Sequence, residues 1–193
     1  MTRTGRRTLL AASAAAIVSA TAAPVMTAAP KAVAPGARSI ERGAYLVRIM
    51  GCNHCHTPYK MGLNGPEPDM SRRLSGHPAA LVMPKAPALG DSPWAWIAAG
   101  TNTAFAGPWG VSFTANLTPD PETGLGKWTA ETFIATMKTG RHEGKGRPVL
   151  PPMPVENLAN LSDADIRDLF AYLQTLPPVR NRVPAPVDPP EAQ

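Results

Sequence analysis

The sequence predicts an all-α domain, in which a few short helices are joined by long loops. Three observations support this fold class. Apolar residues recur at helical spacing beside capping residues in four segments. No segment shows the alternation of apolar and polar residues that a half-buried strand requires. The 23 prolines and 16 glycines of this 193-residue chain lie mostly between those four segments, where they favour ordered loops.

The first two helices are predicted from their caps. One covers Ser39 to Gly51, with Ser39 as its N-cap, and it leads the chain directly into Cys52. The other covers Pro93 to Ala99. Here Ser92 is the cap, and proline occupies the first helical position, where its missing N–H costs nothing.

The last two helices carry the clearer apolar faces. The third covers Ala130 to Thr139, follows the cap Thr129 and ends at Gly140. The fourth follows the cap Ser162 and stops before Pro177. Between the four helices we expect long irregular loops.

The N-terminus has the pattern of an export signal. Arginines precede an apolar, alanine-rich run from Leu9 to Ala23, which is short for a membrane span of roughly 20 residues. We predict a signal peptide over residues 1–22, a flexible linker over 23–38, a domain over 39–180 and a proline-rich tail over 181–193. This organisation predicts a periplasmic protein, and an uncleaved leader or a protein complex would associate it with the membrane.

The basic charge of the chain belongs mostly to this leader. The formal net charge is +5, and residues 1–22 contain three arginines and no acidic residue, so the remainder carries +2. A charge this small does not suggest a nucleic-acid partner.

The only two cysteines, Cys52 and Cys55, lie in the sequence CNHCH, where His56 follows directly. A redox dithiol normally begins a helix after a strand, and no strand is predicted here. A zinc site needs a second pair of ligands, and the other histidines are unpaired in sequence. The export signal also argues against reduced structural thiols. The remaining interpretation is the C-x-x-C-H motif of covalent haem attachment.

This motif places three functional groups on one turn of chain. Cys52 and Cys55 would form thioethers with the two haem vinyl groups, and His56 would bind the iron. We expect the second ring nitrogen of His56 to donate to a backbone carbonyl. One motif predicts one haem c, whose apolar macrocycle would fill the core of a chain in which only 6% of the residues are aromatic.

The sixth iron ligand is predicted to be Met153. It lies in the sequence LPPMPVEN, where flanking prolines stiffen the loop and lower the entropy cost of holding a weak thioether ligand. Met83, in VMPKAP, is the second candidate. Either His77 or His142 would instead give bis-histidine ligation. The other methionines considered are Met61, Met70 and Met137.

Residues 39–180 resemble the class I cytochrome c family. The resemblance rests on the helix with Gly43 and Tyr45, on CNHCH, on the distant PPMP and on the final LSDADIRDLFAYLQTLPPV. It implies a cytochrome c fold whose first and last helices cross, with Gly43 allowing close approach to an aromatic residue such as Tyr172. The segment from 115 to 142 further resembles periplasmic cytochromes that include the cytochrome subunits of membrane-linked alcohol and aldehyde dehydrogenases.

The haem propionates would need hydrogen-bond donors. Trp109 offers an indole N–H between glycines, and Asn116 offers an amide. Arg147 lies six residues before Met153, and Arg141 is nearby. We predict that these side chains contact the propionates.

These features predict an electron carrier rather than an enzyme. Iron held by His56 and Met153 has no free position for a substrate, and methionine ligation favours Fe(II). The expected partners are periplasmic redox proteins: a dehydrogenase or quinol-oxidising complex as donor, and an oxidase or another cytochrome as acceptor. The alternative is a haem enzyme with an openable sixth site, peroxidase-like or oxidising sulfur compounds. A third hypothesis is a subunit of a dehydrogenase complex.

Overall fold

A computed structural model describes residues 36–89 and 91–189. The predicted signal peptide, most of the predicted linker and the last four residues of the predicted tail lie outside the described residues. Within them, none of the helices combines the length and apolar character that crossing a membrane requires.

The described chain contains five α-helices and five short β-strands. The elements are, in chain order, α1 (Ala37–Ile49), α2 (Cys52–His56), β1 (Tyr59–Gly62), β2 (Gly65–Pro68), β3 (Ile97–Ala98), β4 (Ala104–Gly107), β5 (Gly110–Phe113), α3 (Ala130–Thr139), α4 (Val155–Ala159) and α5 (Asp163–Leu173). Strands β1 and β2 form one antiparallel hairpin, and β3, β4 and β5 form a three-stranded antiparallel sheet in that order.

The all-α prediction is therefore wrong. Strands β1, β2, β4 and β5 lie in segments that we expected to be irregular loops, and β3 lies in a segment that we expected to be helical. The strands are two to four residues long, and strands β1 and β2 expose their two central residues together. Strand β5 alternates in burial, but its buried residues are Gly110 and Ser112. The alternation of apolar and polar residues on which a strand prediction depends is therefore missing.

The predicted helix from Pro93 to Ala99 is also wrong. Ser92 does accept a hydrogen bond from the backbone N–H of Trp94 at 3.2 Å, as a cap would. The chain then extends, because Ile97 and Ala98 pair with Ala106 and Phe105 of β4. The local cap is genuine, but sheet pairing replaces the helix.

Helices α3 and α5 confirm the predictions made from their caps. The hydroxyl of Thr129 accepts from the N–H of Thr132, and Gly140 ends α3 with a φ of 63°. The hydroxyl of Ser162 accepts from the N–H of Asp165 at 3.1 Å. These bonds satisfy N–H groups that have no partner within the helix.

Helix α1 begins earlier than predicted and crosses α5. Its N-cap is Gly36 rather than Ser39, and the Ser39 hydroxyl donates instead to the carboxylate of Asp168 in α5. At Gly43, an added Cβ would lie 2.7 Å from the Cβ of Tyr172 and would overlap the carbonyl of Asp168. The close approach of Gly43 to Tyr172 is thus confirmed.

The core lies between α1, α3 and α5. Its buried members lie on these helices or in adjoining loops, and they are Leu46, Val47, Leu74, Leu125, Phe133, Ile166, Leu169, Phe170 and Leu173. Cys52 packs against this cluster. The core therefore supports the helix that carries the CNHCH motif.

Candidate haem site

The two cysteines share the five-residue helix α2, one turn apart. Gly51 precedes them in the left-handed conformation, with a φ of 69°, and turns the chain sharply after α1. Both thiols are partly buried and form no disulfide. Burial raises the pKa of Cys52 to about 11 and also raises the pKa of Cys55. Neither thiol has the lowered pKa that is typical of a redox dithiol.

The His56 ring is buried and fixed by one hydrogen bond. Its Nδ1 donates to the backbone carbonyl of Ala115 at 2.8 Å, which confirms the predicted bond to a carbonyl. Burial lowers the pKa of His56, and the bond to Ala115 opposes this shift. The ring is therefore neutral at pH 7, with its proton on Nδ1 and the Nε2 lone pair available for a metal.

Two extended segments, around Gly76 and around Ala115, pack against His56 and fix its position. The N–H of Gly76 donates to the carbonyl of His56 at 2.8 Å, and the N–H of His77 donates to the carbonyl of Thr114 at 3.0 Å. Gly76 has a φ of 77°, and an added Cβ would lie 2.6 Å from the carbonyl oxygen of Ala115. Glycine at this position lets the two backbones approach closely enough to orient His56.

A contact that the sequence did not predict also stabilises the C-terminal end of α2. The side chain of Asn102, in the turn between β3 and β4, donates to the carbonyl of His54 at 2.7 Å. The next helical donor to that carbonyl would be residue 58, which is proline and has no N–H. Pro58 was the only local sign that this carbonyl needs an outside donor.

Most of the alternative sixth ligands are engaged elsewhere or exposed. His77 is fully buried, with Nδ1 at 2.9 Å from the Thr103 hydroxyl and Nε2 at 3.0 Å from the carbonyl of Leu81. Both of its nitrogens are therefore in use. His142 is exposed beside Trp128. Met61 and Met70 are exposed, and Met137 packs against the helical core.

Met153 is half-buried in the turn that precedes α4. Its N–H donates weakly to the carbonyl of Leu150 at 3.4 Å, and its carbonyl accepts from the N–H of Val155 at 2.9 Å. The side chain lines a surface depression of about 250 Å³. Met83 is also half-buried, in the long loop after β2.

One short segment contacts both of the elements that carry predicted iron ligands. The Ser112 hydroxyl, on β5, donates to the carbonyl of Pro151 at 2.6 Å. Three residues later, the carbonyl of Ala115 accepts from His56. Three residues of extended chain span at most about 10 Å. The loop of Met153 and the ring of His56 are therefore fastened to points close together in space.

Two of the predicted propionate donors have other partners. The amide nitrogen of buried Asn116 lies 2.8 Å from the carbonyl of Val179 and 3.2 Å from the Thr123 hydroxyl, so both of its hydrogens are used. The indole N–H of Trp109 points to the Ser112 hydroxyl at 3.3 Å. A propionate contact from either residue would therefore require these bonds within the protein to be exchanged.

The two arginines keep donors free. Arg147 is exposed and makes one long contact, at 3.3 Å, to the carbonyl of Pro148. Arg141 is exposed and donates to the carbonyl of Gly146 at 3.0 Å. Both lie on the loop between α3 and Met153, and they remain the candidates for a propionate contact.

The residues of this site fit a covalent haem. Two unpaired thiols one helical turn apart precede a buried neutral imidazole, whose free nitrogen is defined by its bond to Ala115. The family model for cytochrome c matches residues 40–177. The chain belongs to the cytochrome c family. Membership implies covalent haem c and a role as an electron-transfer cytochrome.

Several curated relatives of this cytochrome are subunits of dehydrogenases. It is 41% identical over 78 residues to one subunit of the nicotinate dehydrogenase of Pseudomonas putida, a match that covers 40% of this chain and 6% of that protein. It is 30% identical to the cytochrome c subunit of a quinone alcohol dehydrogenase from Gluconobacter oxydans, over 69% of this chain and 20% of that protein. It is 26% identical to the fructose dehydrogenase cytochrome subunit of Gluconobacter japonicus, over 71% and 21% respectively. The chain thus spans about a fifth or less of the length of these relatives.

Proposed function

We propose that this chain is a periplasmic monohaem cytochrome c that transfers single electrons, with His56 and Met153 as the axial ligands of its iron. The haem would be held by Cys52 and Cys55. When bound, it supplies a one-electron Fe(III)/Fe(II) couple. The chain's own residues bind it, orient the two ligands and exclude water from one face.

The observation that carries this proposal is the segment from Ser112 to Ala115. It accepts the His56 proton at one end and holds the loop of Met153 at the other. Both nitrogens of His77 are engaged in hydrogen bonds, so we favour Met153 over His77 as the sixth ligand. Ligation by histidine and methionine raises the reduction potential and leaves no open site for a substrate.

The names of the relatives favour a dehydrogenase as the electron donor. A quinol-oxidising complex is the other donor class, and a terminal oxidase or a second cytochrome would accept the electron. Such contacts are small and transient, which suits rapid turnover between partners.

Exchange of Met153 for alanine tests the ligand assignment. The mature wild-type protein should gain the mass of one haem and show the weak red charge-transfer band of methionine bound to Fe(III). In Met153→Ala this band should be lost, and the reduction potential should fall by on the order of 100 mV, a fraction of the roughly 0.8 V range set by axial ligands.

Met83→Ala is the matched control, because Met83 also lies beside a proline and is half-buried. It should keep the band and the potential. Loss of the band in Met83→Ala, with Met153→Ala unchanged, would reassign the ligand. High-spin iron that binds cyanide rapidly in the wild-type protein would indicate a haem enzyme with an open sixth site.

A further inference from the structure

We propose that Ser112 is a positioning residue for the sixth iron ligand, because its hydroxyl ties the loop of Met153 to strand β5. This inference rests on the proposed ligation by Met153. It adds a residue that neither the CNHCH motif nor the family match identifies.

The geometry around Ser112 is that of a directed hydrogen bond. Ser112 is only 7% exposed, and its Oγ lies 2.6 Å from the carbonyl oxygen of Pro151, two residues before Met153. The indole N–H of Trp109 approaches the same Oγ at 3.3 Å. The carbonyl of Phe105 also lies 3.4 Å from this Oγ. Since a hydroxyl has one proton, the much shorter distance assigns that proton to Pro151.

The loop of Met153 makes few other hydrogen bonds. Pro151, Pro152 and Pro154 have no N–H, so three of the four residues from 151 to 154 cannot donate from the backbone. The fourth, Met153, makes the long 3.4 Å contact to Leu150. Among the described residues, Ser112 is the donor that reaches Pro151, and it is therefore the main polar tie between this loop and the sheet.

Strand β5 also leads to Ala115, the hydrogen-bond partner of the other predicted iron ligand, His56. Ser112 is paired with Phe105 of β4, and the chain continues from β5 to Ala115, which holds His56. A thioether is a weak ligand, so its occupancy of the iron depends on how firmly its loop is held. The bond from Ser112 would favour the methionine-bound state over any state in which the loop moves away.

The test is imidazole binding to the oxidised, haem-loaded protein, followed through loss of the red charge-transfer band. Ser112→Ala should bind imidazole about fivefold to tenfold more tightly than the wild-type protein, which corresponds to loss of one ordinary hydrogen bond in the methionine-bound state. Ser112→Thr retains the hydroxyl and should restore most of the wild-type affinity.

Ile134→Val is the matched control. Ile134 packs against the helical core and makes no hydrogen bond to the loop through its side chain. Its loss of one methylene should lower stability by a similar amount without changing imidazole affinity. If Ser112→Ala binds imidazole as the wild-type protein does while the wild-type band is present and is lost in Met153→Ala, this inference fails alone. If the wild-type protein has no such band, the proposed ligation and this inference fail together.

Discussion

Asn102 provides a hydrogen bond that helix α2, which carries Cys52 and Cys55, cannot make within its own backbone. Helix α2 ends at His56, and its backbone bond from Thr57 to Asn53 is 3.1 Å long. The following bond is absent because residue 58 is proline, and the Asn102 side chain replaces the missing N–H. Asn102 has a φ of 53°, a conformation that asparagine tolerates better than most residues.

Two substitutions at Asn102 separate these effects. Asn102→Ala should lower the free energy of unfolding of the haem-loaded protein by about 2 kcal/mol, roughly half from the lost bond and half from the left-handed conformation. Asn102→Gly loses the bond but fits the backbone, so it should cost about 1 kcal/mol. Urea denaturation measures both. Equal costs for the two variants would show that the backbone conformation contributes nothing.

Among single residues, the sequence predicted the roles of those whose functional partners are neighbours in the chain. Cys52, Cys55 and His56 are adjacent, so their spacing alone indicates the chemistry. Asn102 and Ser112 act across about 40 residues or more of sequence, and a single asparagine or serine in a loop carries no signal of its partner. Asn116 and Trp109 were assigned to propionates from side-chain type alone, whereas their donors are used within the protein.

Between elements, the contact of α1 with α5 depends on the absence of one side chain. Gly43 lies against the backbone of Asp168 and the Cβ of Tyr172. The Ser39 hydroxyl bonds to Asp168 one turn earlier, and Arg42 pairs with Asp165 at 2.9 Å. Because the latter pair is partly exposed, it adds little, and helix packing supplies most of the stability.

Gly43→Ala should therefore be strongly destabilising. The new methyl group would overlap the Asp168 carbonyl, so the helices must separate, and we expect a loss of about 3 kcal/mol in the free energy of unfolding. Gly100→Ala is the matched control, since nothing lies within 4 Å of the position that its methyl group would take. That control should change stability by less than about 1 kcal/mol. Similar denaturation midpoints for the two variants would contradict the packing argument.

Elements were predictable where their signals were local. Helices α3 and α5 have a capping hydroxyl, an apolar face and a stop signal within about a dozen residues. The three-stranded sheet has no such signal, because Ile97 and Ala98 become a strand only by pairing with β4. Helix α4, five residues long, is too short to show a helical period.

At the scale of the described domain, the C-terminal tail packs against the segment that contacts His56. Asn181 is 3% exposed, and its amide nitrogen donates to the carbonyls of Ser75 at 2.6 Å and His77 at 2.8 Å. Its amide oxygen accepts from the N–H of Ala79 at 2.9 Å. Further on, Val187 pairs with Val111 of β5. The described part of the predicted tail is therefore attached to the domain at Asn181 and at Val187.

The tail is linked to His56 by a series of hydrogen bonds that includes Gly76. The bonds from Asn181 hold the residues on either side of Gly76, whose N–H donates to the carbonyl of His56. Asn181→Ala would leave two buried carbonyls without a donor, which costs about 1 to 3 kcal/mol for each group. We therefore expect the free energy of unfolding to fall by about 3 kcal/mol, and the tail to detach more often than the domain unfolds.

Trypsin measures that detachment directly, because Arg180 and Arg182 flank Asn181 and are exposed. Native Asn181→Ala should be cut at these arginines at least about tenfold faster than the wild-type protein, since a loss of 1.4 kcal/mol in local stability changes the open population tenfold. Asn160→Ala, which removes one exposed bond to the carbonyl of Glu156, should be cut at the wild-type rate. Equal cleavage of Asn181→Ala and the wild-type protein would mean that the Val187 pairing alone holds the tail, and that the segment that contacts His56 does not depend on Asn181.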